Sequence, residues 1–137
     1  MFLDGSDVGL DQNGYQDIDG FELLADNSVL FSMAGDTSIR GIGKIDDSDI
    51  IKFTANSLGE NTAGTFSLYL DGSDVELTAA GEDIDALALL AYGDLMLSTS
   101  GTANVNGLRE RRRSDAVQPK QPGREHSRRL VALFRRF

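Results

Sequence analysis

Phe2-Leu-Asp-Gly-Ser-Asp-Val-Gly-Leu10 returns as Tyr69-Leu-Asp-Gly-Ser-Asp-Val-Glu-Leu77, and this recurrence decides how the rest of the chain is read. Further along, Asp17-Ile-Asp-Gly-Phe-Glu-Leu-Leu24 returns as Asp83-Ile-Asp-Ala-Leu-Ala-Leu-Leu90. Ser28-Val-Leu-Phe-Ser32 returns as Asp94-Leu-Met-Leu-Ser98, and Ile39-Arg-Gly-Ile42 as Val105-Asn-Gly-Leu108. The first pair lies 67 residues apart and the others 66, so the period is about 66 residues with a one-residue slip. Self-similarity at that length marks an array or a propeller, and it constrains every later reading.

The repetition stops at Leu108, and so does the composition. Residues 1–108 hold three basic residues (Arg40, Lys44, Lys52) against 19 acidic ones, a net charge of −16. Residues 109–137 hold ten basic against three acidic, a net of +7, and the two parts sum to the −9 of the whole chain. Taken alone, that contrast describes an acidic domain with a basic arm for nucleic acid or an anionic membrane. The first repeat supplies a sharper test.

Codons permitted for Lys120 to Arg128 include AAA CAG CCT GGG CGA GAA CAC AGC AGG. Read one nucleotide later they give Asn-Ser-Leu-Gly-Glu-Asn-Thr-Ala-Gly, identical to Asn56 through Gly64. Permitted codons for Arg129 to Phe137 shift to Asp-Trp-Ser-Leu-Tyr-Phe-Asp-Gly-Ser, against Thr65-Phe-Ser-Leu-Tyr-Leu-Asp-Gly-Ser73. The tail therefore reads as the same repeat translated out of frame after Leu108. Its arginines, both prolines (Pro119, Pro122) and the only histidine (His126) lose their weight as functional signals, and no nucleic-acid partner is expected. Leu130-Val-Ala-Leu-Phe134, between arginine pairs, has the makings of a short amphipathic helix, and the remainder of the tail reads as disordered.

The expected organisation is a first repeat unit over 1–65 that starts mid-repeat, an incomplete second over 66–108, and the out-of-frame tail over 109–137. Repeat units bury their faces against neighbours, so the expected partners are neighbouring units of a longer parent chain. With no cysteine, the chain has no disulfide framework and no zinc–thiolate site. No apolar stretch is long enough for a helical membrane span. The acidic excess of residues 1–108 fits an extracellular or cell-surface protein kept soluble by charge repulsion.

Short apolar runs separated by Gly, Asp and Asn predict an all-β fold, with four strands in each unit. Thr65-Phe-Ser-Leu-Tyr-Leu70 alternates, and Asp71-Gly72 turns the chain. Leu95 to Thr99 pairs back on Ile84 to Leu90, as Val29 to Ser32 does after Ala25-Asp-Asn27. Asp49 to Thr54 completes the set. Alanine and leucine over 83–91 favour a helix, but the first copy carries Gly20 inside it and no helical stripe, so strand is expected in both copies.

Four strands per unit with a repeated Asp-Gly turn resemble a β-propeller blade, although the period exceeds that of short-blade families. Ser67 to Val75, followed by Glu82 to Leu90 and Leu95 to Thr99, resembles Asp-rich propeller-like repeats of large bacterial secreted or surface proteins. The resemblance spans residues 2–108 and implies an extracellular repeat region. It implies no catalytic residues.

The acidic clusters are the candidates for chemistry. Asp4, Asp7, Asp17 and Asp19 recur as Asp71, Asp74, Asp83 and Asp85, and Asp46, Asp47 and Asp49 form a further group. Calcium takes six to eight oxygen ligands, which Asp-Gly loops supply without steric cost. The spacing is neither an EF-hand loop nor the Gly-Gly-x-Gly-x-Asp roll. The competing reading makes these aspartates turn-formers that bond the local backbone. No serine triad or phosphate loop is expected: Gly41-Ile-Gly43-Lys44 lacks the spacer, and no histidine lies outside the tail.

The expected function is a non-catalytic extracellular β-repeat with a scaffold or adhesion role, with Ca2+ as a candidate stabiliser at Asp4, Asp7, Asp17, Asp19, Asp71, Asp74, Asp83 and Asp85. One alternative is a piece of a metal-dependent propeller hydrolase acting on lactones or phosphoesters. Another is a functionless product of a frameshifted gene.

Overall fold

The computed structural model describes residues 1–12, 16–91, 93–101, 103 and 130–134. The fold is all-β. Its strands are β1 (Ile18–Leu23), β2 (Val29–Met33), β3 (Thr37–Ile39), β4 (Gly43–Ile45), β5 (Ile50–Ser57), β6 (Ala63–Leu70), β7 (Ile84–Leu89), β8 (Leu95–Thr99) and β9 (Leu130–Phe134). Two short 3-10 turns, Ser6–Val8 and Gly72–Val75, are the only helical elements among the described residues.

Sheet one has the order β1-β2-β5-β6, sheet two the order β7-β8-β9, and β3-β4 form a separate hairpin. All the strand pairs are antiparallel, and the sheets are not closed. The chain is thus a meander in which β3-β4 interrupts the step from β2 to β5. The expected strands at 17–24 and 83–91 are strands: antiparallel pairing with β2 and β8, and the packing of Leu87 and Leu89 in the second copy, outweigh the helix propensity of alanine and leucine. Leu130 to Phe134, expected as a helix, is strand β9, paired to β8 with Leu95 opposite Phe134 and Leu97 opposite Ala132. Edge pairing to β8 satisfies its backbone in a way that a lone five-residue helix, below the cooperative length, does not. The rest of the tail, 109–129 and 135–137, lies outside the described residues. The sequence boundary at 65/66 falls within β6, whose pairing with β5 continues to Leu70.

β1 and β7 start 66 residues apart, as do β2 and β8, and their pairings correspond. Phe21 opposes Phe31 as Leu87 opposes Leu97, and Leu23 opposes Val29 as Leu89 opposes Leu95. Each hairpin has an irregularity at the same place, after Ile18 and after Ile84. The turns agree as well. Leu24 N donates to Ser28 O as Leu90 N does to Asp94 O, and Leu10 N donates to Gly5 O as Leu77 N does to Gly72 O.

Period-two alternation on β2 sends its side chains into separate cores. Val29, Phe31 and Met33 join Val8, Ile39, Ile45, Ile51 and Phe53 on one face of sheet one. Phe66 closes that core from β6, edge-on to Phe31 with ring centroids 6.0 Å apart and tilted against Phe53 at 5.0 Å. These are favourable aromatic geometries, each contributing about 0.5–1.5 kcal/mol beyond area burial. On the opposite face, Leu30 and Ile50 meet Leu77, Ile84, Leu87, Leu95 and Leu97. Sheet two is therefore stacked on sheet one.

Gly20 sets the stacking distance. A Cβ there would lie 3.0 Å from Ala86 Cα and 3.2 Å from Ser32 Oγ, so only glycine lets β7 approach β1 this closely. Ser32 Oγ ties the layers together: it accepts from Gly20 N at 3.1 Å and donates to Ile84 O at 2.8 Å. Ile84 N completes the join with a 3.0 Å bond to Asp47 O.

Candidate functional site

The eight candidate calcium aspartates and the Asp46, Asp47 and Asp49 group together fall into three places. Asp4 and Asp71 open equivalent 3-10 turns. Asp4 Oδ1 accepts from Ser6 N at 3.0 Å and Ser6 Oγ at 2.6 Å, and Asp71 Oδ1 accepts from Ser73 N and Oγ at the same distances. These are Asx-type turns, which the short carboxylate stem favours. Two Asp-x-Ser turns outside the repeat pattern do likewise. Asp26 Oδ1 accepts from Ser28 N and Oγ, and Asp46 Oδ1 from Ser48 N and Oγ. Bonds from the Ser6 hydroxyl and amide hold the Asp4 carboxyl below its ordinary value, and those from Ser28 do the same for Asp26. Asp7 uses Oδ2 to accept from Thr62 N at 2.8 Å, fastening the first turn to the β5–β6 loop. Asp74 lies in the first turn of Gly72–Val75.

Asp49 is buried and structural. Its Oδ1 accepts from Gly72 N at 2.9 Å and its Oδ2 from Asp46 N at 3.0 Å. Burial raises its pKa, opposed by those two bonds. Asp49, Asp46 and Asp71 line an open groove with Asp36, Thr37, Ser38, Lys44 and Ser73. Three of the four groove carboxylates, Asp46, Asp49 and Asp71, are bonded to backbone or serine donors, so the groove presents fewer ready ligands than its sequence implies.

The third place is the junction of the sheets. Asp17 and Asp83 hold equivalent positions, each accepting through its backbone oxygen, from Ala34 N at 2.9 Å and Ser100 N at 2.8 Å. Their side chains differ. Asp17 and Asp19 are exposed, whereas Asp83 Oδ1 is buried without a hydrogen-bond partner. Burial first, then the charges of Asp19, Asp47 and Asp85, push the Asp83 carboxyl up to about 6, against a hydrogen bond from Ser100. Asp85 Oδ1 accepts from Ser98 Oγ. Burial, helped by Asp46 and Asp36, also raises Asp47. Four carboxylates thus converge electrostatically where β1 meets β7. Among the described residues, no three His, Cys, Asp or Glu side chains are placed to hold a metal ion.

Sequence reasoning missed the pair Gln16 and Glu82, which are buried and 66 residues apart. Gln16 Oε1 accepts from Gln12 N at 2.8 Å, and Glu82 Oε2 accepts from Thr78 N and Ala79 N at 2.7 and 2.8 Å. The signal was present as an amide and a carboxylate at matching places in the period, each just before the first strand of its hairpin. No helix of the described residues is long and apolar enough to cross a membrane. No protein-family model matches the chain, and neither the curated proteins nor the solved structures contain a significant match.

Proposed function

We propose that this chain belongs to a non-catalytic β-repeat scaffold, working outside the cell in a structural or adhesive role. Its units of about 66 residues are propeller-blade-like sheets, stacked face to face. One observation carries the reading: the β1-β2 hairpin and its register recur as β7-β8, with the second sheet laid on the first. The carboxylates support a structural role, since Asp4, Asp26, Asp46, Asp49 and Asp71 spend oxygens on backbone amides and serine hydroxyls. Calcium enters this reading as a weak stabiliser. With no ready cage among the described residues, its effect is to relieve repulsion among Asp19, Asp47, Asp83 and Asp85 at the junction.

The test is whether the two sheets unfold as one. The scaffold reading expects a single cooperative transition followed by far- and near-ultraviolet circular dichroism. Gly20→Val should lower its midpoint or split it in two. A variant that unfolds like the parent would remove the basis for stacked units. Hydrolysis of a lactone or phosphoester by the purified chain, lost on Asp83→Asn, would replace the scaffold with the enzyme reading.

A further inference from the structure

The two hairpins that match in register do not match in exposure. Ile84 is 0% exposed and Leu87 7%, both inside the core between the sheets, and Leu89 packs against them. Their counterparts on β1 are uncovered: Ile18 is 43% exposed, Phe21 68% and Leu23 47%. Phe2 is also exposed, whereas its counterpart Tyr69 packs on the inter-sheet core. Three large apolar residues of β1 thus lie open where their equivalents on β7 are buried or half-buried between the sheets. Ile18, Phe21 and Leu23 lie along one strand, and exposed apolar surface of this kind marks an interaction face.

The covering surface is also known, because sheet one supplies it for sheet two. That surface is built from Gly20, Leu30, Ser32 and Ile50. On β7 and β8 the equivalents of the first three are Ala86, Met96 and Ser98, and all three retain solvent exposure. We infer that the Ile18–Phe21–Leu23 face docks on the Ala86–Met96–Ser98 face of a second copy of this chain, repeating head to tail the stacking seen within it. The inference rests on the stacked-unit reading and names the partner of its open face. The contact is heterologous, since each copy offers two different surfaces, and it propagates instead of closing as a twofold dimer.

Ala86 replaces Gly20 at the point of closest approach, so the intermolecular layers sit a few tenths of an ångström further apart than the internal pair. The net charge of −9 opposes association, and added salt strengthens it.

The experiment is light scattering on the full chain over a range of concentrations at moderate salt, with Phe21→Asp and Met96→Asp as variants blocking one face each. The parent should exceed monomer mass as concentration rises. Each variant alone should remain monomeric, with association weakened at least about tenfold. An equimolar mixture should form a dimer that grows no further, since each variant keeps the face that the other has lost. Unchanged circular dichroism for both variants excludes misfolding. A parent that stays monomeric throughout overturns the proposal, as does Met96→Asp associating by itself while Phe21→Asp does not. The unfolding test with Gly20→Val reads only the internal stacking, so either result leaves the scaffold reading separately decided.

Discussion

The β1-β2 and β7-β8 hairpins share a register, a place of irregularity and a turn, yet one is half covered and the other is core. The difference lies in neighbours and not in the strands. Leu87 and Phe21 are both large and apolar, both oppose an apolar residue on the next strand, and both follow an irregularity in the pairing. Sheet one lies over Leu87, and no described sheet lies over Phe21. Local sequence therefore specifies the hairpin, while position in the stack decides how much that hairpin contributes to stability.

The sharpest way to break this comparison is to truncate the matched pair. Leu87→Ala should cost about 3 kcal/mol, through lost transfer energy and the cavity left between sheets. Phe21→Ala should change monomer stability by less than about 0.5 kcal/mol. Equal effects in urea unfolding would show that the sheets do not stack as described.

A smaller contrast comes from added bulk. Gly20→Val forces side-chain atoms onto Ala86 Cα and should cost about 2 kcal/mol by overpacking. Ala86→Val, at the equivalent exposed position, should cost less than about 0.5 kcal/mol. Thermal unfolding of the pair measures how far the close approach is confined to one side of the stack.

Third in size is the acid response of the junction. The folded-state pKa of Asp83 is about 6, above the ordinary 3.8, so the folded chain holds this proton more tightly than the unfolded one. Below about pH 4 both states are protonated and no penalty exists. Stability from this group is lost as pH rises through about 4 to 6, and the full penalty remains above that. Asp83→Asn should therefore stabilise the protein at pH 7, by about 1 kcal/mol after allowing for solvent screening. The gain should shrink toward zero at pH 4, and a constant gain across that range would deny Asp83 its role. Asp17→Asn, on the exposed copy, should stay within about 0.5 kcal/mol at pH 7.

The smallest effect concerns the two matched turns. Gly9 has φ +82° after the first 3-10 turn, and its counterpart Glu76 has φ +68° after the second. A side chain in that left-handed region is strained, so Glu76→Gly should gain about 0.5 kcal/mol. Gly9→Ala should lose about as much or more. Differential scanning calorimetry resolves the signs.

Much of this was legible in the chain because two stretches about 66 residues apart carry similar sequence. Ambiguity between helix and strand over 83–91 was resolved by Gly20 in the other copy, and the hairpin at 95–99 followed from the one at 29–33. The stacking was not legible: Ile18, Phe21 and Leu23 read the same as Ile84, Leu87 and Leu89, and burial depends on a sheet that no local pattern encodes. Nor did the carboxylates announce their employment. Asp4 and Asp71 attract attention as paired acids, but the serine two residues on, repeated at Ser28 and Ser48, was the decisive partner. Asp49 reaches Gly72 across 23 residues, which spacing alone does not reveal. The strand at Leu130 to Phe134 also escaped prediction, because its flanking arginines suggest a membrane-surface helix and its partner β8 lies far upstream.

The glycines that follow aspartate carry a consequence for how the molecule ages. An aspartate–glycine bond is chemically weak, since the glycine nitrogen can swing onto the preceding carboxyl and close a succinimide ring. At Asp71-Gly72 that nitrogen is held by Asp49 Oδ1, and Gly72 is wedged against Ser48. At Asp19-Gly20 it is held by Ser32 Oγ between two sheets. The contacts that set the distance between layers thus also hold those two linkages away from the geometry of isomerisation. Isoaspartate at either position would serve as a chemical clock for how often the layers come apart.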